Sequence, residues 1–477
     1  MVRTKSNCSI LDCRRNSGND QLEHIETQIS MDLKNKIVSV IGLGRTGVAT
    51  ANFLSLRGAK VSIMDRKPQD QLFELSGQLL PGVETFYNNS DPLPNSELIV
   101  ISPGVDIESE FLQSSRKKGI EIISEIELAS RFNDVPMIGI TGTNGKSTCT
   151  SLIGEILQEG GNNTQVGGNL GTPFISLLGK GQADYRVLEI SSFQMETTRS
   201  FHPKIAIVLN ITPDHLDRHE SFEQYAGLKE KIYENQTAND FLILNYDDPK
   251  TRPLGESCPA KKFYFSMEGE LENGAYLKDG RVFASINDFR GEICELNSLS
   301  RGLRWQTENV LPAVATALLL NIPIEVIKKV LKSFVGLEHR LEWVCNQDGV
   351  DFINDSKGTN VGSVCKSLNT FDRPIILIAG GKDKNADFSG LKTIMKKKVK
   401  HLILIGETRQ KFRSVLNGSF GYEESDSLEE AVHLAKGKAE KGDVVLLSPA
   451  CASFDMFEDY IDRGNQFKSI VNNLEEC

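Results

Sequence analysis

The stretch MIGITGTNGKST at residues 137–148 constrains the fold of this chain more than any other. Met137 to Ile140 form an uninterrupted apolar run of strand length, which stops at a turn of glycine, threonine and asparagine. From Ser147 onward Leu152, Ile153, Ile156 and Leu157 recur with helical spacing. A buried strand turning on glycines into a helix is the repeating unit of an open α/β sheet. Such a turn aims main-chain N–H groups and the positive end of the helix at one point, where a phosphate is the fitting ligand. In this reading Gly142, Thr143, Asn144 and Gly145 make the nest and Lys146 reaches the outer phosphates. The hydroxyl of Ser147 or Thr148 serves a magnesium ion.

The spacing departs from the Walker A pattern, because Gly142 lies only three positions before Gly145 and Gly139 overshoots. A tight turn without a ligand would also need permissive glycines. It would leave the lysine and the paired hydroxyls without a role, so a nucleoside triphosphate site is the stronger reading.

A chain of 477 residues exceeds one hydrophobic core and suggests about three domains. The formal net charge of -10 argues against bulk nucleic-acid binding, although a local cradle can still hold an anion. No apolar stretch reaches the ~18–20 residues of a membrane span. The nine cysteines are odd in number and lack CxxC spacing, and no apolar leader opens the chain. Reduced thiols in a cytoplasmic protein are the simplest account. Residues 1–30 carry no useful periodicity and stop just before Met31. They read as a flexible extension or as an overlong reading frame.

A second glycine turn precedes the first in the chain. The apolar run Ile37 to Ile41 leads into Gly42, Leu43, Gly44, Arg45, Thr46 and Gly47, a GxGxxG turn, and a helix with Val48, Ala51, Phe53 and Leu54 inward. The next strand, Val61 to Met64, delivers Asp65 at the distance where an acidic side chain holds a ribose hydroxyl. On these residues alone NAD is an open possibility. Leu98 to Ile101 is another buried strand, running into Ser102, Pro103 and Gly104; Ile123 to Ala129 reads as helix, and residues 131–136 as a boundary. A simple dehydrogenase has no use for both glycine turns, so two phosphorylated ligands are expected.

In the middle of the chain, residues 164–171 read as a glycine-rich bend carrying Asn169. The strand from Tyr185 ends in Glu189, well placed for Mg²⁺. The strand Ile205 to Leu209 runs into a cluster containing Asp214, His215, Asp217, Arg218 and His219. Without a cysteine partner, and beside a triphosphate loop, magnesium suits it better than zinc. Residues 225–233 read as helix, on which periodicity makes Lys229 an ordinary exposed lysine. Strands at 241–245, 262–265 and 274–277, with a hairpin turn at 278–280, are expected at the sheet's edge. Helices at 314–320 and 324–331 close this region. Beyond Gly336, apolar strands at 374–379, 401–405 and 444–447 end in small residues, which predicts another open α/β sheet. The run Lys396, Lys397, Lys398 is a solvated helix end rather than a nucleic-acid patch.

Taken together, residues 31–475 resemble the Mur ligases of peptidoglycan precursor synthesis. TGTNGKST at 141–148 and HRLE at 339–342 are signals of that family. NDSKGTN at 354–360 and LLSPACASFDMF at 446–457, followed by Arg463, Gly464 and Asn465, point to its D-glutamate-adding branch. The resemblance implies a three-domain α/β enzyme: an N-terminal Rossmann-like domain over 31–130, a central P-loop ATPase-type domain over 131–335, and a C-terminal Rossmann-like domain over 336–477. It implies ATP and Mg²⁺, and as partners UDP-N-acetylmuramoyl-L-alanine and D-glutamate, joined by way of an acyl phosphate in a cytoplasmic monomer.

By the same resemblance Gly42, Gly44, Arg45, Thr46 and Gly47 cradle the UDP moiety rather than NAD, and Asp65 meets its uracil end. Lys146 and Ser147 belong to the ATP loop, Glu189 and His215 serve a second Mg²⁺, and Lys229 is the lysine that becomes a carbamate near the metal. Asn169 lies near the reacting substrate, and Asn309, Arg340 and Asp355 contact ATP. Lys384, Ser453 and Thr359 hold D-glutamate, with Lys357 close by and Tyr460 framing that pocket. The chain departs from the family at residues 308–312, where Glu308 stands for a histidine and Pro312 for an amide, and at Gly358 in place of alanine. Proline donates no hydrogen bond, which affects the adenine pocket but not the phosphate loop. A folate-polyglutamate type ligase, a dehydrogenase and a non-catalytic nucleotide-binding module are the alternatives.

Overall fold

Three open sheets follow one another along the chain, each made of short strands whose apolar side chains are covered on both faces. The computed structural model describes residues 31–474 apart from 215–217, 219–220, 257, 384–385 and 417–420. The first sheet holds β1 (Ile37–Ile41), β2 (Lys60–Met64), β3 (Glu84–Phe86), β4 (Leu98–Ile101) and β5 (Glu121–Ser124) in the order β3-β2-β1-β4-β5, all parallel. β4 is buried at every residue, as a parallel strand packed on both faces must be. Chain order reverses between β1 and β4, which opens a crevice at their carboxyl ends. The stretch expected as a helix from Ile123 divides instead. Ile122 and Ile123 pair with β4, and the helix is Glu125–Arg131, started by the Ser124 hydroxyl accepting from Glu127 N at 3.3 Å.

The second sheet contains β6 (Met137–Thr141), β7 (Thr164–Gly168), β8 (Tyr185–Glu189), β9 (Ile205–Val208), β10 (Phe241–Asn245), β11 (Lys261–Ser266), β12 (Gly274–Lys278), β13 (Arg281–Ile286) and β14 (Phe289–Glu295). Their order is β14-β13-β12-β11-β10-β9-β6-β8-β7. The strands from β6 to β12 are parallel; β13 and β14 are added antiparallel at one edge, and the β12–β13 turn has left-handed Asp279 and Gly280 (φ +48° and +70°). Two expectations need correction here. Residues 164–168 are not a bend but the other edge strand, pairing with β8 from Thr164↔Tyr185 to Gly168↔Glu189, and the chain bends only after Gly168. The helix expected from residue 314 spans Thr307–Leu319, so Glu308, Asn309 and Pro312 all lie on it. Pro312 has no N–H for the turn before it, yet burial of almost the whole helix holds it together.

The third sheet has β15 (Glu342–Gln347), β16 (Val350–Asn354), β17 (Ile375–Gly380), β18 (Val399–Ile405), β19 (Tyr422–Glu424) and β20 (Val444–Leu447) in the order β15-β16-β20-β17-β18-β19, with only β15 antiparallel. The lysine run ends the helix Leu391–Lys398. The helix Glu125–Arg131 fastens the first sheet to the second through two buried carboxylates. Glu127 accepts from Arg199 N and Ser200 N, both at 2.8 Å, and Glu125 from Ile175 N at 2.6 Å. Among the described residues no helix is long and apolar enough to cross a membrane.

Candidate active site

The turn after β6 is shaped by the loop after β9. Asn210 accepts from Asn144 N at 2.9 Å and donates to Asn144 O at 3.1 Å, while Thr143 N donates to Asn210 O at 2.9 Å. The Thr143 hydroxyl lies 3.0 Å from Thr212 O and 3.1 Å from the Tyr225 hydroxyl. Gly145 caps the helix Lys146–Glu159 with φ +87°, and a Cβ there would sit 2.1 Å from Asn309 Oδ1. Only glycine fits, and the main chain therefore stays bare to a ligand. Lys146 Nζ is folded onto its own loop, donating to Gly142 O at 2.8 Å and Thr143 O at 2.9 Å. The two hydroxyls diverge. Ser147 faces the cleft, with Arg340 Nη2 at 3.4 Å, whereas Thr148 donates to Gln306 at 2.8 Å.

Beside this loop stands a buried cluster of opposite charges. Glu189 ends β8 next to β6, and its Oε1 accepts from Asn169 Nδ2 at 2.7 Å. Oε2 is buried without a completed hydrogen bond; the Ser147 hydroxyl is close enough to favour the anion without meeting hydrogen-bond geometry. Burial pushes this carboxyl up, but Lys146, Ser147, Asn169 and Arg340 together hold it below the usual range. Burial pulls the Lys146 ammonium down, against the attraction of Glu189. Lys229 is not the exposed lysine that helical periodicity suggests: it is 1% exposed, donates to Gly142 O at 3.0 Å, and lies 4.4 Å from the Tyr225 ring. Burial, followed by repulsion from Lys146, lowers its ammonium well below the ordinary value.

The third domain reaches the same place. Arg340 sits between two non-glycine residues with left-handed backbone, His339 (φ +63°) and Leu341 (φ +43°), a strained arrangement for a leucine. The strain is held by Leu341 N donating to Asp355 Oδ1 at 3.3 Å and Lys357 N donating to His339 O at 3.0 Å. Asp355 is buried, and its Oδ2 takes the hydroxyls of Ser367 and Ser448, both at 2.7 Å. Burial raises its carboxyl despite those bonds. Lys357, half-buried and 5.3 Å from the Tyr460 ring, is lowered to about 8 by burial and by Arg340. A cavity of about 400 Å³ lies between the two bodies, lined by Asn144, Gly145, Trp305, Gln306, Asn309, Arg340, Asp355, Lys357 and Lys366 among others. Asn144 Nδ2 and Arg340 Nε are buried donors with no partner. The wall opposite the loop is tied by Ser363 to Asn144 (3.2 Å) and Lys366 to Glu308 (3.2 Å).

A separate cavity of about 360 Å³ occupies the crevice of the first sheet and is lined by Gly42, Gly44, Asp65, Arg66, Ser102 and Val105 among others. Asp65 supports its floor, accepting from Leu43 N at 2.8 Å and Lys67 N at 2.9 Å. Gly47 lets the helix start against the turn, since its Cβ would lie 1.8 Å from Gly42 O. Arg45 points across to the second domain and donates to Gly171 O at 3.2 Å; Thr46 is half-buried and its carbonyl accepts from Thr50.

Ser453 is buried and Thr359 half-buried on loops at the carboxyl ends of the third sheet, and Tyr460, also half-buried, opens the helix Tyr460–Asn473. Both loops are gripped by Arg463, which is fully buried. It donates to Ser356 Oγ at 2.9 Å, Ser356 O at 2.8 Å, and the carbonyls of Ala452 and Cys451, both at 3.3 Å. Such burial lowers even a guanidinium, here to about 10. His215 and Lys384 lie outside the described residues. The sequence reading gave no role to Asn210, Gln306, Ser367 or Ser448. Asn210 and Ser448 stand where an apolar strand ends in a polar residue, a weak signal; Gln306 and Ser367 carry none.

Two α/β bodies meeting at one lysine-bearing glycine loop, with a third body carrying a separate glycine crevice, define a nucleotide-dependent multidomain enzyme. Family models agree over each body. Residues 36–124 match the Mur ligase MurD-like N-terminal domain, 140–317 the Mur ligase middle domain, and 339–451 the Mur ligase glutamate ligase domain. The chain belongs to the Mur ligase family. It is 44% identical over 452 residues to the UDP-N-acetylmuramoylalanine--D-glutamate ligase of Caldanaerobacter subterraneus subsp. tengcongensis, covering 93% of this chain and 100% of that one. It is 43% identical over 450 residues to the enzyme of the same name from Koribacter versatilis, covering 94% and 99%. Its fold matches the solved pseudomurein peptide ligase type C from Methanothermus fervidus with a TM-score of 0.58 at 20% identity, over 92% of this chain and all of that one.

Proposed function

We propose that this chain is an ATP-dependent ligase that joins D-glutamate to UDP-N-acetylmuramoyl-L-alanine in peptidoglycan precursor synthesis. The relatives' shared name over nearly the whole length supports that reaction above a folate-type ligase or a dehydrogenase. The observation that carries the chemistry is the meeting of the Gly142–Lys146 turn, the unpaired oxygen of Glu189 and the guanidinium of Arg340 at one cleft.

The residues fit ATP and Mg²⁺. Gly145 leaves a cradle that a Cβ would fill, Asn144 and Arg340 offer buried donors without partners, and Glu189 offers a buried acceptor without one. ATP would lie along residues 142–148, with its base end in the 400 Å³ cavity beside Asn309. Mg²⁺ would be held by Ser147, Glu189, His215 and a carbamate on Lys229, and would supply charge neutralisation at the transferring phosphoryl group. Lys146 leaves its loop carbonyls to meet the phosphates, and Arg340 approaches from the facing domain. Lys229, with its amine form favoured by burial, is suited to add CO₂ and lose one proton, so that a neutral amine becomes an anionic carbamate.

The UDP moiety is read into the crevice over Gly42, Gly44, Arg45, Thr46 and Gly47, with Asp65 at the uracil end. That directs the L-alanyl carboxylate past Asn169 toward the phosphoryl group, where acyl phosphate forms. D-glutamate, held by Thr359, Lys384 and Ser453 with Lys357 and Tyr460 at its rim, then brings its amine onto the acyl carbon and phosphate leaves. Closure of the third domain keeps water from the acyl phosphate. We assign the protein to the cytoplasm as a monomer. The test is direct: purified protein with ATP, Mg²⁺, UDP-N-acetylmuramoyl-L-alanine and either D- or L-glutamate, followed by product mass. A product gaining one glutamate only with the D-isomer is expected; ADP release without a new amide, or preference for L-glutamate, refutes the assignment.

A further inference from the structure

The third domain touches the domain of the phosphate loop along one face of the helix Val361–Asn369. Its N-cap, Asn360, accepts from Ser363 N at 2.7 Å and donates through Nδ2 to Asp214 Oδ2 at 3.2 Å. Three residues on, the Ser363 hydroxyl donates to Asn144 Oδ1 at 3.2 Å, and after three more the Lys366 ammonium lies 3.2 Å from Glu308 Oε2. Residues at this spacing share one helix face. All three contacts are polar, so they can be made and broken without opening a core. The middle one falls inside the phosphate loop. The main chain of Asn144 is held by Asn210 at both its N–H and its carbonyl, independently of the third domain. The side-chain amide is not held that way. Among the described residues its hydrogen bond is the one from Ser363 to Oδ1, while Nδ2 is a buried donor with no partner. Asn144 and Ser363 both line the cavity of about 400 Å³.

Resting on the nucleotide site proposed above, we infer that Ser363 is a positioning residue that turns the Asn144 amide so that its NH₂ faces the nucleotide phosphates. The last torsion of an asparagine is soft and two-fold, so hydrogen bonding decides which end of the amide faces the cleft. Ionised phosphate oxygens only accept. An amide oxygen turned toward them repels, whereas an NH₂ turned toward them adds a charge-assisted bond. With Oδ1 occupied by the Ser363 hydroxyl, Nδ2 is left for the ligand. When the helix Val361–Asn369 lifts away, the amide loses its guide, although the loop's main chain stays on Asn210. The full set of donors is therefore assembled only with the third domain docked. Ser363 acts through Asn144 and not on the reacting atoms.

The experiment is a double-mutant cycle on the full chain, read by calorimetry as binding of a non-hydrolysable ATP analogue with Mg²⁺. Asn144→Ala should weaken the analogue about twentyfold, the loss of a bond to a charged group. Ser363→Ala should weaken it about fivefold when Asn144 is present. With Asn144 already alanine, the same change should cost less than about 1.5-fold, because the amide it guides is gone. Ser363→Thr keeps the hydroxyl and should stay within about twofold of the wild type. Binding of UDP-N-acetylmuramoyl-L-alanine within about twofold in every variant shows that the chain is folded. In ligation, Ser363→Ala should raise KM for ATP and leave KM for the UDP-sugar in place. A fivefold loss that persists beside Asn144→Ala means that Ser363 serves only the helix or the domain contact, and it overturns the inference. Wild-type affinity in Ser363→Ala overturns it as well. A wild type that binds the UDP-sugar but no ATP analogue overturns the nucleotide reading instead, and is told apart because it needs no variant.

Discussion

Replacing Gly145 with alanine tests the phosphate cradle at its tightest point. The residue holds φ +87° and ψ −15°, where an L-side chain costs about 1–2 kcal/mol. The added Cβ would lie 2.1 Å from Asn309 Oδ1, so the amide must swing away and give up its 3.4 Å contact with Gln306. That adds about 0.5–1.5 kcal/mol, for a total near 2–3 kcal/mol. For a domain of this size such a loss lowers the melting temperature by roughly 5–10 °C. If about 2 kcal/mol of it falls on the nucleotide-bound state, KM for ATP rises about thirtyfold. The assays are thermal unfolding with and without an ATP analogue, and ADP release against ATP concentration. Gly437→Ala is the control of opposite sign. Gly437 lies in the helix Leu428–Lys438 with nothing within 4 Å of a Cβ, so alanine there should stabilise by about 0.5–1 kcal/mol. Wild-type melting and a KM for ATP within about twofold in Gly145→Ala would refute the cradle.

Lys146→Ala should cut turnover by at least about 100-fold while UDP-sugar binding stays near wild type; ligation at near-normal rate by the folded variant would remove Lys146 from the reaction. Lys229→Ala should be inactive and stay so on adding bicarbonate, whereas the wild type should lose activity when bicarbonate and CO₂ are stripped and regain it on return. Wild-type turnover independent of bicarbonate counts against the carbamate. Burial pushes the Glu125 carboxyl up to about 7, against the pull of the Ile175 and Phe174 N–H groups. The folded chain thus keeps a proton that the unfolded chain releases near 4.5, so stability falls as pH rises between those values, by of order 3 kcal/mol when complete. Glu125→Gln should accept the same Ile175 N–H and flatten that fall, gaining melting temperature at pH 8 but not at pH 4; an unchanged pH slope would refute it.

Most of the framework is legible because parallel strands buried on both faces are written as unbroken apolar runs. Leu98 to Ile101 and Val444 to Leu447 could be little else, and Ile37 to Ile41 is interrupted only by the buried Ser39. The glycine turns are legible for a steric reason, since each marks a place where a Cβ would strike another part of the chain. β7 was hidden because an edge strand tolerates the glycines that a bend also favours. The burial of Lys229 was hidden for a deeper reason. Helical periodicity records the neighbours of a residue along its own helix, and the carbonyl that receives Lys229 belongs to Gly142, far away in the chain. The same holds for Ser367 and Ser448, whose hydroxyls matter only because the fold sets both against Asp355. The roles of Arg340 and Lys357 came from motif resemblance alone; nothing in their local spacing points to the loop they face.

The bonds that hold Arg340 have a mechanical corollary. Asp355 and Lys357 lock the backbone on either side of that arginine to the third sheet, so the guanidinium travels with the whole body as one piece. Any swing that opens the cleft to solvent must also carry the positive charge away from Ser147. An ajar molecule is therefore a disarmed one. On the proposed ligase reading, the rigid lever that admits substrates is also the one that guards ATP against water.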